Sequence, residues 1–265
     1  MNKKRSGHQP NSLEEAVNDG IIEGRNAVIE ALRAGTAIDK IYLAKGETDA
    51  SLGHIASSAR SNGVVVVETD RRKLDNMSVT HSHQGVIAIA AVREYATVED
   101  ILQSARDRGE QPLVVVCDEI SDPHNLGAII RTAECAGAHG VIIPKRRSAG
   151  LTAIVAKTSA GAVAHIPVAR VANLTALLKE LKEAGLWVFG AEADGKTPLY
   201  QADLKGAAAI VIGSEGSGMG RLVAETCDVT LSIPMKGKVN SLNASAAAAV
   251  LLYEAVRQRQ VTQAI

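Results

Sequence analysis

Four segments in the C-terminal half of the chain are apolar almost without interruption: LVVVC at 113–117, GVIIP at 140–144, LWVFGA at 186–191 and AAAIVI at 207–212. Between them lie stretches of helical periodicity, clearest in NLGAIIRTAECAGA and NLTALLKELKEAG. A strand that is apolar at every position buries both of its faces, which excludes a sheet with one wet side. Strands of this kind alternating with helices predict a parallel sheet covered by helices on both faces, an α/β fold. Such sheets bind ligands in the loops beyond the carboxyl ends of their strands, so those loops are where chemistry is expected. Only six residues are aromatic, and the core must therefore be filled with Ala, Val, Ile and Leu. Side chains that small suit closely spaced helix-on-sheet layers.

The same alternation divides the chain. Residues 1–20 are polar and read as a tail. Residues 21–95 carry a shorter series: EGRNAVIEALRAG as a helix stopped at Gly35, KIYLAK as a strand, SLGHIASSARSNG as a helix, VVVVET as a buried strand, RRKLDNMS as a short helix and GVIAIAAV as a last strand. Residues 96–111, rich in charge, read as mixed helix and coil and as the linker. Residues 112–265 form the larger domain and close with the Ala-rich helix NASAAAAVLLYEAVRQRQ. At ~150 residues per domain, 265 residues accommodate this two-domain division.

Basic and acidic side chains balance at 29 each. That argues against a basic coat for nucleic acid, and the scarcity of aromatic rings argues against a base-stacking platform. Basic residues concentrate only locally, at Lys3–Arg5, Arg71–Lys73 and Lys145–Arg147. The N-terminus lacks the apolar stretch of a secretory signal, and no apolar run approaches the ~18 residues of a membrane span. A cytoplasmic protein is expected. Cys117, Cys135 and Cys227 are widely spaced and read as small buried residues, and His81 and His83 as loop or surface histidines, so no metal site is expected.

Three loops follow predicted strands of the larger domain. In DEISDPHNLGAIIR, Pro123 sets the turn, Asn125 is a candidate helix cap, and Arg131, six residues on, is placed to point back toward the helix start. In GSEGSGMG at 213–220, four glycines expose backbone N–H groups around Glu215; the spacing is not that of a dinucleotide-binding loop. In IPMKGKVNSLNASAAAA, a polar stretch leads through Ser241, Leu242 and Asn243 into the last helix, with Ser241 or Asn243 as its cap. Each loop alone is compatible with a glycine turn or a capped helix.

Together and in this order, NxGxxxR, GSEGxG and IPM…SLNxSxAxA resemble the three motifs of the SpoU (TrmH-type) RNA ribose 2′-O-methyltransferases. The resemblance runs from about Pro112 to Arg257. EGRNAVIEAL and HQGVIA resemble the substrate-binding domain of the RlmB-like branch, which is similar in fold to a family of ribosomal RNA-binding proteins. The resemblance implies S-adenosylmethionine as cofactor, a deep trefoil knot in the C-terminal domain, and a homodimer. It implies Gly213, Ile233 and Leu242 against the adenosine, with Gly216, Met235, Ser241 and Asn243 nearby. It assigns Arg131 the central catalytic role, with Asn125 and Glu215 completing the site; His124 is a second candidate base. Arginine is normally a permanent cation, so Arg131 is expected to position a hydroxyl and a phosphate; acting as the base itself is the alternative and requires an unusual environment. The implied substrate is a guanosine in 23S ribosomal RNA, with transfer RNA or another ribosomal nucleotide as the alternative and a catalytically silent RNA-binding assembly factor as a distant one. Balanced charge then means RNA binding through local patches, expected at Arg25, Arg71–Lys73 and Lys145–Arg147.

Overall fold

The computed structural model describes residues 20–46 and 49–263. They fall into two compact units, one ending at Val92 and the other beginning at Arg93. The expected tail, residues 1–20, lies outside the described residues except for Gly20.

In the first unit, β1 (Ile21–Glu23), α1 (Arg25–Arg33), β2 (Ile38–Ala44), α2 (Ala50–Ser61), β3 (Val65–Thr69), α3 (Arg71–Met77) and β4 (Val86–Ala90) follow in order. The sheet order is β1-β4-β2-β3; β4 runs antiparallel to both neighbours, and β2 pairs β3 in parallel. Val28, Ile41, Ile55, Val86 and Ala88 are fully buried and join the sheet to α1 and α2. β3 departs from its apolar sequence. It is half-buried rather than buried, because it is a sheet edge with a neighbour on one side only. His83 lies in the loop before β4, as expected, but is buried there, with Nδ1 accepting from Gly85 N at 3.0 Å and Nε2 facing Asp75 Oδ1 at 2.9 Å.

The second unit holds α4 (Val98–Arg108), β5 (Leu113–Cys117), α5 (Pro123–Cys135), β6 (Gly140–Pro144), α6 (Ala153–Thr158), β7 (Val168–Val171), α7 (Leu174–Glu183), β8 (Trp187–Ala191), β9 (Thr197–Pro198), β10 (Ala208–Ile212), α8 (Arg221–Thr226), β11 (Val229–Ser232) and α9 (Ala244–Gln263). Its seven strands run β7-β6-β5-β10-β8-β11-β9, every pair parallel. β5 and β10 lie at the centre and are buried at every position, as a doubly covered sheet demands.

The segment 96–111, expected as mixed helix and coil, is helical over Val98–Arg108, and that helix is docked on the larger unit's core. Thr97 and Asp100 form a reciprocal capping box, and Gly109 ends the helix in the left-handed region at φ 65°. Ile101 and Ala105, one turn apart, are fully buried, and Ile101 belongs to the core beneath β5, β6 and β10. The fit there is close: a Cβ on Gly140 would come within 2.5 Å of Ile101 Cγ1. High charge on the outer face of α4 conceals an apolar face of Ile101 and Ala105, with Val98 and Leu102 partly buried against the same core. Cys135 departs too, being exposed, while burial, aided by Asp118, pushes the Cys117 thiol up to about 12. Among the described residues no helix is long and apolar enough to cross a membrane, and no group of three metal-ligating side chains is gathered.

Candidate active site

Three loops converge beyond the carboxyl ends of β5, β10 and β11. The central one, 213–220, leaves β10 and folds back on itself: Ser214 and Gly218 exchange two backbone hydrogen bonds of 3.0 Å, with Gly218 left-handed at φ 66°. This closure holds Glu215 and Gly216 at the tip. Gly213 is required by space, since a Cβ there would lie 2.3 Å from the Gly218 carbonyl carbon. The far end of the loop is tied down by Asp118, at the exit of β5, whose Oδ2 accepts from Gly220 N at 2.7 Å. Burial raises the Asp118 carboxyl above its ordinary range, partly offset by the Gly220 N–H.

The loop after β5 enters α5 with Asp122 as the cap, its Oδ1 accepting from His124 N at 2.9 Å, and Pro123 opens the helix. Asn125 is therefore not the cap, a correction to the sequence reading. Freed from that duty, its Nδ2 donates to Glu215 Oε1 at 3.0 Å. Asn243 does cap α9: its Oδ1 accepts from Ser245 N at 2.9 Å and Ser245 Oγ at 2.6 Å. Its Nδ2 donates to Asn125 Oδ1 at 3.0 Å and also to Glu215 Oε1. Asn125, Glu215 and Asn243 thus close a ring of hydrogen bonds that joins all three loops.

Two clefts flank the 213–220 loop. The larger, about 400 Å³, is lined by Gly213, Glu215, Gly216, Ile233, Met235, Ser241 and Leu242 among others. Asn243 does not line it; it bonds to Glu215, which does. The smaller, about 320 Å³, is bounded by Glu119, Asp122 and Asn125, and by Ser214–Ser217, which also line the first. Among the described residues, Glu215 is the one acid lining both.

Sequence reasoning missed Glu192 and Asp194, which line the larger cleft just past β8, and it missed Asp118. All three stand at or just beyond the ends of apolar strands, the place where a parallel sheet offers side chains to a ligand; that position was the available signal. Arg131 is not brought to the ring. It lies about 9 Å further along α5 and is exposed on the face it shares with His124, and no hydrogen bond or ion pair among the described residues holds it. The expected basic patches are partly committed within the fold. Arg147 pairs with Glu119 at 2.9 Å, both residues being left-handed at φ 56°. Arg25 pairs with Asp49 at 2.5 Å, and Lys73 sits 5.1 Å from the Tyr42 ring centre.

Residues 112–253 match the model of the SpoU rRNA Methylase family, more than half of the chain, and residues 21–96 match RNA 2′-O ribose methyltransferase substrate binding. The chain belongs to the SpoU rRNA methylase family. YacO of Bacillus subtilis (strain 168), assigned to the TrmH family of tRNA/rRNA methyltransferases, is 48% identical over 236 residues, covering 89% of this chain and 94% of that one. In fold, this SpoU chain is similar to the SpoU methyltransferase AviRb from Streptomyces viridochromogenes in complex with AdoMet, at TM-score 0.57 and 24% identity over 95% of each chain. It is also similar to the AdoMet-bound rRNA methyltransferase from Sinorhizobium meliloti, at TM-score 0.56 and 25% identity, covering 92% and 90% of the two chains. Like its SpoU relatives, the chain is an RNA methyltransferase.

Proposed function

We propose that this SpoU methyltransferase moves a methyl group from S-adenosylmethionine to the ribose 2′-hydroxyl of a guanosine in 23S ribosomal RNA, acting in the cytoplasm as a homodimer. The observation that carries the reading is the Asn125–Glu215–Asn243 ring standing between two clefts. The larger cleft fits the cofactor. Its volume of about 400 Å³ lies within the usual range for small-molecule sites. Ile233, Leu231 and Leu242 offer apolar walls to a flat heterocycle, and the backbone of 213–218 offers hydrogen bonds to its edge. Glu192 and Asp194 suit ribose hydroxyls and a cationic ligand. When bound, S-adenosylmethionine supplies an electrophilic methyl group.

The chain's own residues then have separable tasks. The smaller cleft receives the target nucleotide, and its 2′-hydroxyl faces Glu215 across the loop tip. Two amide donors on Oε1 fix that carboxylate and leave Oε2 directed to the hydroxyl, whose proton it shares as the oxygen becomes a nucleophile. Arg131, exposed and uncommitted, serves as a positioning cation for hydroxyl and phosphate, supplied to a site completed by a second copy. α5 packs on α9, and the two helices leave Arg131, Ala246 and Tyr253 exposed, a surface suited to that pairing. The proposal includes the knot, and what supports it is the strand order, with β10 between β5 and β8 and β11 beyond β8, together with the packing of α9 on α5.

Mapping 2′-O-methylation across ribosomal and transfer RNA in a deletion strain tests the substrate. Loss of one 23S guanosine methyl, restored by the wild-type chain and not by Arg131→Ala, is expected. A lost transfer RNA site would overturn the ribosomal assignment, and no lost site would overturn the reaction.

A further inference from the structure

The loop after β5, residues 118–122, bounds the smaller cleft, and the loop after β6, residues 145–152, is tied to it. The tie runs through Ile120, which is buried: its carbonyl accepts from Ala149 N at 2.8 Å and from Ser148 Oγ at 3.3 Å. Beside that tie a non-glycine residue of each loop is left-handed, Glu119 in one and Arg147 in the other, both at φ 56°. Such backbone persists only where the surroundings enforce it, and it clusters at ligand clamps and switches. Here it sets two side chains against each other. Arg147 Nη1 donates to Glu119 Oε1 at 2.9 Å, and no other hydrogen bond or ion pair among the described residues holds that guanidinium.

The charges around the cleft give this pair its meaning. Glu119, Asp122 and Glu215 line it, and no Lys or Arg does. A nucleotide within an RNA chain brings a phosphate on each side of its ribose, and three carboxylates alone would repel it. Arg147 stands one hydrogen bond from the lining, yet it already faces a carboxylate. That contact is easily exchanged. The Arg147 and Glu119 side chains are 80% and 38% exposed, and an ion pair so exposed costs little to break. Glu119 takes a single donor, whereas the planar fork of a guanidinium fits two phosphate oxygens at once. The tie at Ile120 uses neither charged side chain, so the backbone under Arg147 stays fixed when the pair opens.

We propose that Glu119 holds Arg147 in place of a phosphate, and that an RNA phosphate next to the target nucleotide displaces Glu119 and takes the guanidinium. The exchange makes Arg147 a positioning residue for the nucleotide. A free basic patch at 145–147 would attract any RNA; the paired carboxylate makes this contact conditional on a phosphate that reaches the rim of the cleft. The inference rests on the proposed RNA reaction and on the smaller cleft as the place of the target nucleotide.

The test measures RNA affinity by filter binding at several salt concentrations, with unmodified 23S ribosomal RNA and transfer RNA transcripts. Full-length wild type is compared with Glu119→Gln, Arg147→Ala and the double variant. Glu119→Gln is expected to bind RNA about fivefold more tightly, because Arg147 no longer has to be released. Arg147→Ala is expected to bind about fivefold more weakly, with the slope of log affinity against log salt reduced by about 0.7, one phosphate contact on a single strand. In the Arg147→Ala background, Glu119→Gln is expected to change affinity by less than about twofold. If Glu119 acts only as a charge that repels RNA, Glu119→Gln tightens binding equally in both backgrounds, and the exchange is overturned. Unchanged or weaker binding in Glu119→Gln overturns it as well, and so does unchanged binding in Arg147→Ala. Arg147→Lys keeps the charge without the fork and is expected to fall between Arg147→Ala and wild type. S-adenosylmethionine affinity and thermal midpoint in both Arg147 variants are expected to match wild type; a loss of RNA affinity that follows a lowered midpoint overturns the proposal as a structural role. A wild-type chain that binds in the expected pattern but methylates neither RNA supports the exchange and overturns the reaction.

Discussion

Replacing Gly213 by alanine tests whether the 213–220 loop shapes the cofactor cleft. Gly213 is not among the left-handed glycines, so alanine meets no conformational penalty there and the whole effect is steric. The added Cβ would stand 2.3 Å from Gly218 C, 2.4 Å from Met219 N and 2.6 Å from Gly218 O. All three are backbone atoms, which no side-chain rotation relieves. Restoring ordinary contact requires the two halves of the loop to separate by about 1 Å. The paired hydrogen bonds between Ser214 and Gly218 hold those halves together at 3.0 Å, and a separation of that size breaks both. At about 1 kcal/mol each, the loss is about 2 kcal/mol. If cofactor binding must re-form the closed loop, S-adenosylmethionine affinity falls about 30-fold. The sheet beneath is untouched, so the thermal midpoint drops by no more than about 8 °C and circular dichroism is unchanged. Calorimetry on wild type and Gly213→Ala decides the matter. A variant that folds and binds the cofactor within threefold of wild type would refute the steric argument and the placement of the site.

Further changes probe the site and its supports. Glu215→Gln keeps an oxygen for the Asn125 and Asn243 amides but removes the charge, so single-turnover methyl transfer should fall about 100-fold with cofactor affinity nearly intact. Equal activity in that variant would remove Glu215 from proton handling. Arg259 donates to the carbonyls of Leu204, Gln111, Pro112 and Gly206, so Arg259→Ala should cost about 3 kcal/mol in urea unfolding. Arg259→Lys should recover less than half, because one ammonium cannot span four acceptors. At His139, burial holds the ring below its ordinary value of 6.5, with Arg108 adding to the effect and Glu110 opposing it. Below pH 6.5 the unfolded chain therefore binds a proton that the folded chain refuses, and stability falls as pH drops from there toward the folded value. Midpoints measured at pH 7.5 and 5.5 should differ less for His139→Gln than for wild type; an equal difference would contradict the assignment.

Several local expectations rested on rules that operate within a few residues, and those rules identify their own failures. The helices ending at Gly63 and Gly185 and the strands around Val115 and Ile210 are set by patterns visible over a single turn or pleat. In the segment 96–111 the docking of the helix is hidden because its buried residues, Ile101 and Ala105, are outweighed by charge that only an exposed face can carry. VVVVET reads as a buried strand because composition cannot distinguish a central strand from an edge one. Asn125 and Asp122, three residues apart, both cap well, and the choice of Asp122 depends on where Pro123 lets the helix start.

An uninterrupted apolar strand has to be covered on both sides, and that requirement alone determined the parallel sheet, its helical layers and the end of it that faces ligands. The order of three short motifs was enough to recognise the family. The contacts that make a site needed the folded chain. Glu215 meets Asn125 across 90 residues and Asn243 across 28, and no local pattern encodes which loops the crossovers will bring side by side. Folding also decided which candidates stay apart: Arg131, on the same helix as Asn125, is turned to another face because six residues carry a helix through a non-integral number of turns.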